Sequence, residues 1–153
     1  MAWGGLFWID RVADEIVARH AQGIAFVGAA GTTETFWSQH WIVFPARMNE
    51  VLAVSSAWPS GRRDPKSHFG DQLDLVAYGD VPTTDEQGLG LSAMSRSSGA
   101  TAVVTGIVAL MRQRFPFASV EDIYAKLKMY AGARCGIISE FGPIVNASAA
   151  TGG

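Results

Sequence analysis

The chain has 153 residues, 48% of them apolar and 17% charged, with twelve basic and fourteen acidic side chains giving a net charge of −2. That length suits one domain with a sizeable core, and the apolar share excludes a disordered chain. The near balance of charge excludes a basic nucleic-acid arm or a polybasic membrane anchor. The single cysteine, Cys135, excludes an internal disulfide framework and a thiolate metal cluster.

Residues 1–9 are apolar but lack a basic flank and stop at Asp10, which makes a poor signal peptide. Spacing predicts a helix over residues 10–22: Asp10 caps its start, Val12, Ile16 and His20 share a face, and Gly23 sits where a left-handed cap is wanted. Residues 24–27 then form an all-apolar run that empties into Gly28-Ala29-Ala30-Gly31. Similar runs follow at 51–54 and 73–77. Runs apolar on both faces belong to the central strands of a parallel sheet covered by helices. Stretches 60–69 and 80–87 read as loops. Residues 95–114 form a helix apolar nearly all round, predicted to be buried; its 13-residue apolar stretch is too short to span a bilayer. Ser119-Val120-Glu121-Asp122 reads as a capping box opening a last helix through Tyr130, with Gly132 closing it. The fold class is α/β, a doubly wound, mainly parallel sheet with helices on both faces.

Three small-residue stretches could carry chemistry. In residues 96–106, Arg-Ser-Ser-Gly-Ala-Thr-Ala-Val-Val-Thr-Gly, serines lead into the buried helix, where free backbone N–H groups and the positive dipole end suit a nucleophile facing a developing oxyanion. On local sequence alone, Ser95, Ser97 or Ser98 equally serves as a helix cap. The second stretch, Gly28-Ala29-Ala30-Gly31-Thr32-Thr33, lets a substrate backbone approach closely or is an ordinary tight strand exit. The third is Met1-Ala2-Trp3-Gly4-Gly5, small residues around one aromatic.

Together these stretches resemble the C-terminal half of the catalytic domain of subtilisin-like serine proteases. The family's Ser-Leu-Gly-Gly strand, Ala-Ala-Gly-Asn loop and Gly-Thr-Ser-Met-Ala-Ser-Pro-His-Val-Ala-Gly nucleophile segment align without gaps on Ala2–Gly5, Ala29–Thr32 and residues 96–106. Phe44-Pro45-Ala46 with strand 51–54, residues 73–79 and the tail 141–150 are similar to three further family motifs. The resemblance implies Ser98 as the nucleophile, with its own N–H and a donor at Thr32 facing the oxyanion. It implies that Ala2, Trp3 and Gly4 pair with an extended peptide as an added strand, while Ala29, Ala30 and Gly31 form the opposite wall of the specificity pocket. It implies a peptide or protein substrate as the partner, and the missing N-terminal half of the domain as another; no cofactor or metal ligand is assigned, and the balanced charge points to neither a nucleic acid nor a membrane.

Several residues depart from the family pattern. Thr32 replaces Asn, Arg96 and Ser97 replace Gly-Thr, Gly99 replaces the Met after the nucleophile, and Tyr78 replaces a Pro. A glycine at 99 is expected to loosen the helix start. No motif for the family's catalytic Asp and His occurs here, so residues 1–153 are expected to be the C-terminal portion of a longer peptidase domain, inactive when isolated. No family position supports His20, His40 or His68 as a substitute base, and His20 is expected at the surface or rim. The alternative reading is a catalytically inactive module that binds peptides or a partner chain. Cys135 reads as a small buried hydrophobe, and Phe7, Trp8, Phe36, Trp37 and Trp41 as core, with Trp3 alone a binding candidate.

Overall fold

Leu52 and Val54 face one way and Val51 and Ala53 the other, and all four are at most 2% exposed. Such a strand has both faces covered, which requires neighbours on each side and layers above and below. The computed structural model, which describes residues 1–33, 39–85, 87–88, 90–132 and 142–152, shows this arrangement. β1 (Phe26–Ala29), β2 (Val51–Ala57) and β3 (Leu75–Tyr78) pair in parallel in the order β1-β2-β3. The register sets Val27 against Leu52 and Val54 against Leu75.

α2 (Arg96–Arg114) and α3 (Val120–Met129) cover one face. There Val104, Ile107, Val108 and Met111 pack with Val27, Leu52, Val54, Leu75 and Ala77. Full burial of such side chains stabilises by about 1.5–3 kcal/mol each. On the other face, α1 (Asp10–His20) packs Ala13 and Ile16 against Phe44, Met48 and Val51. α2 is buried along one side only: Leu110 is 55% exposed although its neighbours in sequence are equally apolar. Its predicted all-round burial is thus corrected.

Boundaries shift where backbone groups find other partners. Ile9, not Asp10, is the N-cap of α1, and Asp10 stands inside the first turn, where a carboxylate suits the helix dipole. The first strand begins two residues later than predicted, because Ile24 N–H is taken by Arg19 O in the turn that ends α1. Gly23 has φ +85, the left-handed geometry expected there. The predicted capping box is present, with Ser119 and Asp122 exchanging side-chain bonds with each other's backbone N–H groups.

Within residues 80–87, read as a loop, Val81–Thr84 instead form β4, which pairs antiparallel with β5 (Leu91–Met94). Its exposed face and Pro82 give no alternating apolar signal. α4 (Ala147–Thr151), capped by Asn146, was also not predicted. Ile144 bridges Val76 in parallel, extending the sheet beyond β3. Cys135, Phe36, Trp37 and Phe141 lie outside the described residues.

Tyr124 secures the start of β1. Its hydroxyl accepts from Phe26 N–H and donates to Phe26 O, both at 2.7 Å, and burial pushes its pKa far above the usual tyrosine range. Tyr124→Phe leaves both backbone groups without that partner, so an expected loss of about 1–3 kcal/mol should appear as a lower midpoint in urea unfolding. An unchanged midpoint would show that water satisfies this edge.

Candidate active site

β1 runs into Ala30, fully buried, and then Gly31 and Thr32. The 31–33 segment lies antiparallel to residues 66–68: His68 N–H donates to Gly31 O at 3.1 Å and Thr33 N–H to Lys66 O at 2.9 Å. In such a pairing the N–H of the middle residue, Thr32, turns away from the partner strand. It has no acceptor among the described residues.

Ala2 to Gly5 form the second edge. Gly5 exchanges two 2.9 Å backbone bonds with Phe44, and Val43 N–H donates to Ala30 O at 3.0 Å. Val43 therefore stands between the two segments. A Cβ on Gly4 would come 2.3 Å from Val43 Cγ2, so glycine there lets the valine pack in. Ala2, Trp3 and Gly4 are exposed, and the N–H and C=O groups of Trp3 and Gly4 carry no hydrogen bond among the described residues. An exposed edge with open amides is a surface to which an extended chain can add.

The start of α2 completes the group. None of its serines caps it: Ser95 makes no side-chain cap bond, Ser97 Oγ lies 3.0 Å from Thr32 Oγ1, and Ser98 Oγ donates to Ala2 O at 3.0 Å. The N–H groups of Ser97 and Ser98 are thus left among the open donors of a helix start. These two hydroxyl contacts join three stretches that are distant in sequence. Thr32 reaches Ser97 directly and Ser98 only through it. Trp3, Gly4, Ala29, Ala30 and Gly31 flank the group, with Ala29 and Ala30 buried.

Two departures find physical explanations. Arg96 holds φ +61, the left-handed backbone that a glycine enters freely and an arginine enters at a cost of about 1–2 kcal/mol. Gly79 packs on it so tightly that a Cβ would lie 2.6 Å from Arg96 O. Arg96 itself lines a cavity of about 230 Å³ together with Trp58, Asp64, Lys66 and Asp80. Gly99 is the point where Gly79 O presses on the helix, at 2.0 Å from the place a Cβ would occupy. Its glycine serves close packing, a role the sequence reading did not assign.

The profile of the subtilase family matches residues 1–145. The chain belongs to the subtilase family. Among curated subtilases, the alkaline elastase YaB of a Bacillus species is 33% identical over 132 residues, covering 86% of this chain and 34% of that protein. The thermostable alkaline protease of Halalkalibacterium halodurans is 31% identical over 109 residues, 71% of this chain and 29% of its own length. This subtilase chain spans about a third to half of the curated relatives it matches. The prenylagaramide maturation protease PagA superposes with a TM-score of 0.83 at 19% identity, over 99% of this chain and 59% of PagA. Proteases from Pseudoalteromonas arctica give 0.82 at 24% identity, over 99% of this chain and 49% of theirs. At such identities the superpositions show the fold, and they agree with the doubly wound α/β reading.

The histidines of this subtilase stand apart from the Ser98 hydroxyl, whose hydrogen bond goes to Ala2 O. His20, expected at the surface or rim, is largely covered at the junction of α1 and α3, with Nδ1 3.7 Å from Glu121 Oε1. His40 is exposed in a turn, its ring 4.1 Å from that of Phe69. His68 is buried. Among the described residues, the aromatics expected in the core are largely outside it: Phe7 is 84% and Trp41 66% exposed, while the half-exposed Trp8 ring lies tilted against Phe44. Val43 and His68 enter the site although no sequence motif marked them. Their places depend on which loops meet, which has no local signal.

Proposed function

We propose that this chain supplies the nucleophile, oxyanion donors and substrate-pairing edge of a serine endopeptidase. The observation that carries the reading is the contact of Ser98 Oγ with Ala2 O, which sets a helix-start serine beside an open strand edge. A peptide paired along Ala2-Trp3-Gly4 presents its carbonyl carbon to Ser98 Oγ. As the Oγ–C bond forms, the carbonyl oxygen gains charge that the Ser98 N–H and a Thr32 donor offset. The serine proton passes to a base, the C–N bond breaks with protonation of the leaving amine, and water then releases the acyl group. In this reading the base and its orienting carboxylate come from outside residues 1–153.

The second donor is Thr32. Its hydroxyl is shared with Ser97, so its N–H is the group left open for the oxyanion. Val43, packed against Gly4 and bonded to Ala30, stands between Ala2–Gly4 and Ala29–Gly31, where in this reading its bulk favours small side chains before the scissile bond. Val43→Gly is expected to raise kcat/KM for substrates with a large apolar residue there, relative to alanine, by about tenfold or more. An unchanged ratio in a paired peptide assay would remove Val43 from specificity.

A fluorophosphonate probe tests the central reading on the intact protein. Labelling at Ser98, mapped by mass spectrometry and lost in Ser98→Ala, supports the peptidase. The second reading, an inactive peptide-binding module, is favoured by the Ser98 proton being held by Ala2 O rather than by a base. A silent Ser98 in a protein that still binds extended peptides would establish that module instead.

A further inference from the structure

Under the Gly31–Thr32 turn lies His68, 3% exposed. Its Nδ1 is 2.6 Å from Trp41 O, which can only accept, so Nδ1 carries the proton. Nε2 of the neutral ring is then a bare lone pair, buried and without a hydrogen-bond partner among the described residues. The ring occupies the space opposite Gly31. A Cβ at that position would meet Nδ1 at 2.5 Å and Cε1 at 2.9 Å, and the backbone there has φ +119. Two further bonds fix the histidine itself: its N–H donates to Gly31 O, and its C=O accepts from Ser55 Oγ at 2.7 Å.

We propose that His68 is a positioning residue: its uncharged imidazole, wedged beneath Gly31, sets where Thr32 stands over the start of α2, through the Thr32–Ser97 hydroxyl contact. Its catalytic consequence rests on the peptidase reading above; the wedge does not. A second ring proton would place an N–H on Nε2 where the described residues offer no acceptor, so acid should lift or loosen the turn. The charged and titratable groups on the surrounding segments, Arg63, Asp64, Lys66 and His40, have interactions of their own. Arg63 bonds Gln39 and Ser67 O, Asp64 accepts from Ser56 Oγ and Lys66 N–H, and His40 lies against Phe69. Ser55 and the 31–33 segment bring no titratable side chain. Burial lowers the His68 pKa from its ordinary value, with the Trp41 bond opposing in part. The unfolded chain therefore takes up a proton at about pH 6.5 while the native ring resists it. The stability this provides is complete above that pH and is lost as pH falls below it.

The test follows the amide resonances of Gly31, Thr32 and Ser97 in ¹⁵N-labelled protein as pH is lowered from about 8, alongside the His68 ring signals. We expect all three to shift in one step with the His68 ring, at a midpoint below about 6.5, and the step to vanish in His68→Asn, whose amide can still donate to Trp41 O but does not titrate. At neutral pH, His68→Ala should label at Ser98 about tenfold or more slowly than wild type, and His68→Asn should restore the rate. Resonances that stay still while the ring titrates, or a step that persists in His68→Asn, overturn the proposal. Where wild type labels at Ser98, equal labelling of the alanine variant overturns it too. A coupled step in a protein whose Ser98 never labels would support the positioning role and sink the peptidase reading alone.

Discussion

Replacing Ser98 by alanine is expected to remove peptide hydrolysis by the intact protein almost completely, by a factor on the order of 10⁶ in turnover. The size follows from what the hydroxyl does in the proposed mechanism: without it no acyl-enzyme forms, and the remaining donors and binding edge can only assist attack by water. The same change removes the hydrogen bond to Ala2 O, so a loss of fold must be told apart from a loss of chemistry. A solvent-accessible hydroxyl bond contributes only about 0.5–1.5 kcal/mol, and the variant should unfold at nearly the same urea concentration as wild type. Peptide affinity should also persist, because Trp3 and Gly4 keep their open amides. Hydrolysis within tenfold of wild type would withdraw Ser98 from the mechanism.

A second large effect is expected two turns apart on the same helix, with opposite signs. Gly99→Ala forces a methyl group to within 2.0 Å of Gly79 O and 2.9 Å of Met94 O, both backbone atoms. Neither moves without displacing the exit of β3 or the end of β5. Overpacking of this kind typically costs about 1–3 kcal/mol, and contact with backbone places it at the high end or beyond. Alanine's helix propensity returns at most about 1 kcal/mol. The net result should be a clear destabilisation, together with displacement of Ser98, whose neighbour is being pushed. Gly106→Ala meets nothing within 4 Å and should instead stabilise by about 0.5–1 kcal/mol. Denaturant midpoints of both variants decide the point; a stabilised Gly99→Ala would mean that Gly79 yields easily.

Much of the frame was legible because its signals are local. The run 51–54 is apolar at every position, as a strand covered on both faces requires. The Ser119–Asp122 capping box needs four consecutive residues and no others, and it formed as read. Gly23 shows its purpose through the helix it ends. The β4–β5 hairpin was hidden because its strands are exposed and carry a proline, leaving no alternation to read. The first strand was placed two residues early because Ile24 looks like strand but its N–H is captured by α1.

The sequence by itself determined the family, the α/β layering and the candidate nucleophile, through motifs whose order and spacing survive along one chain. Only the tertiary structure decided that Ser98 meets Ala2, that Thr32 meets Ser97 rather than Ser98, and that Val43 and His68 fill spaces left by Gly4 and Gly31. The physical reason is that these contacts join residues 37 to 96 positions apart or depend on the absence of a side chain across a gap. Neither a long-range approach nor an empty volume leaves a periodic trace in the residues on either side.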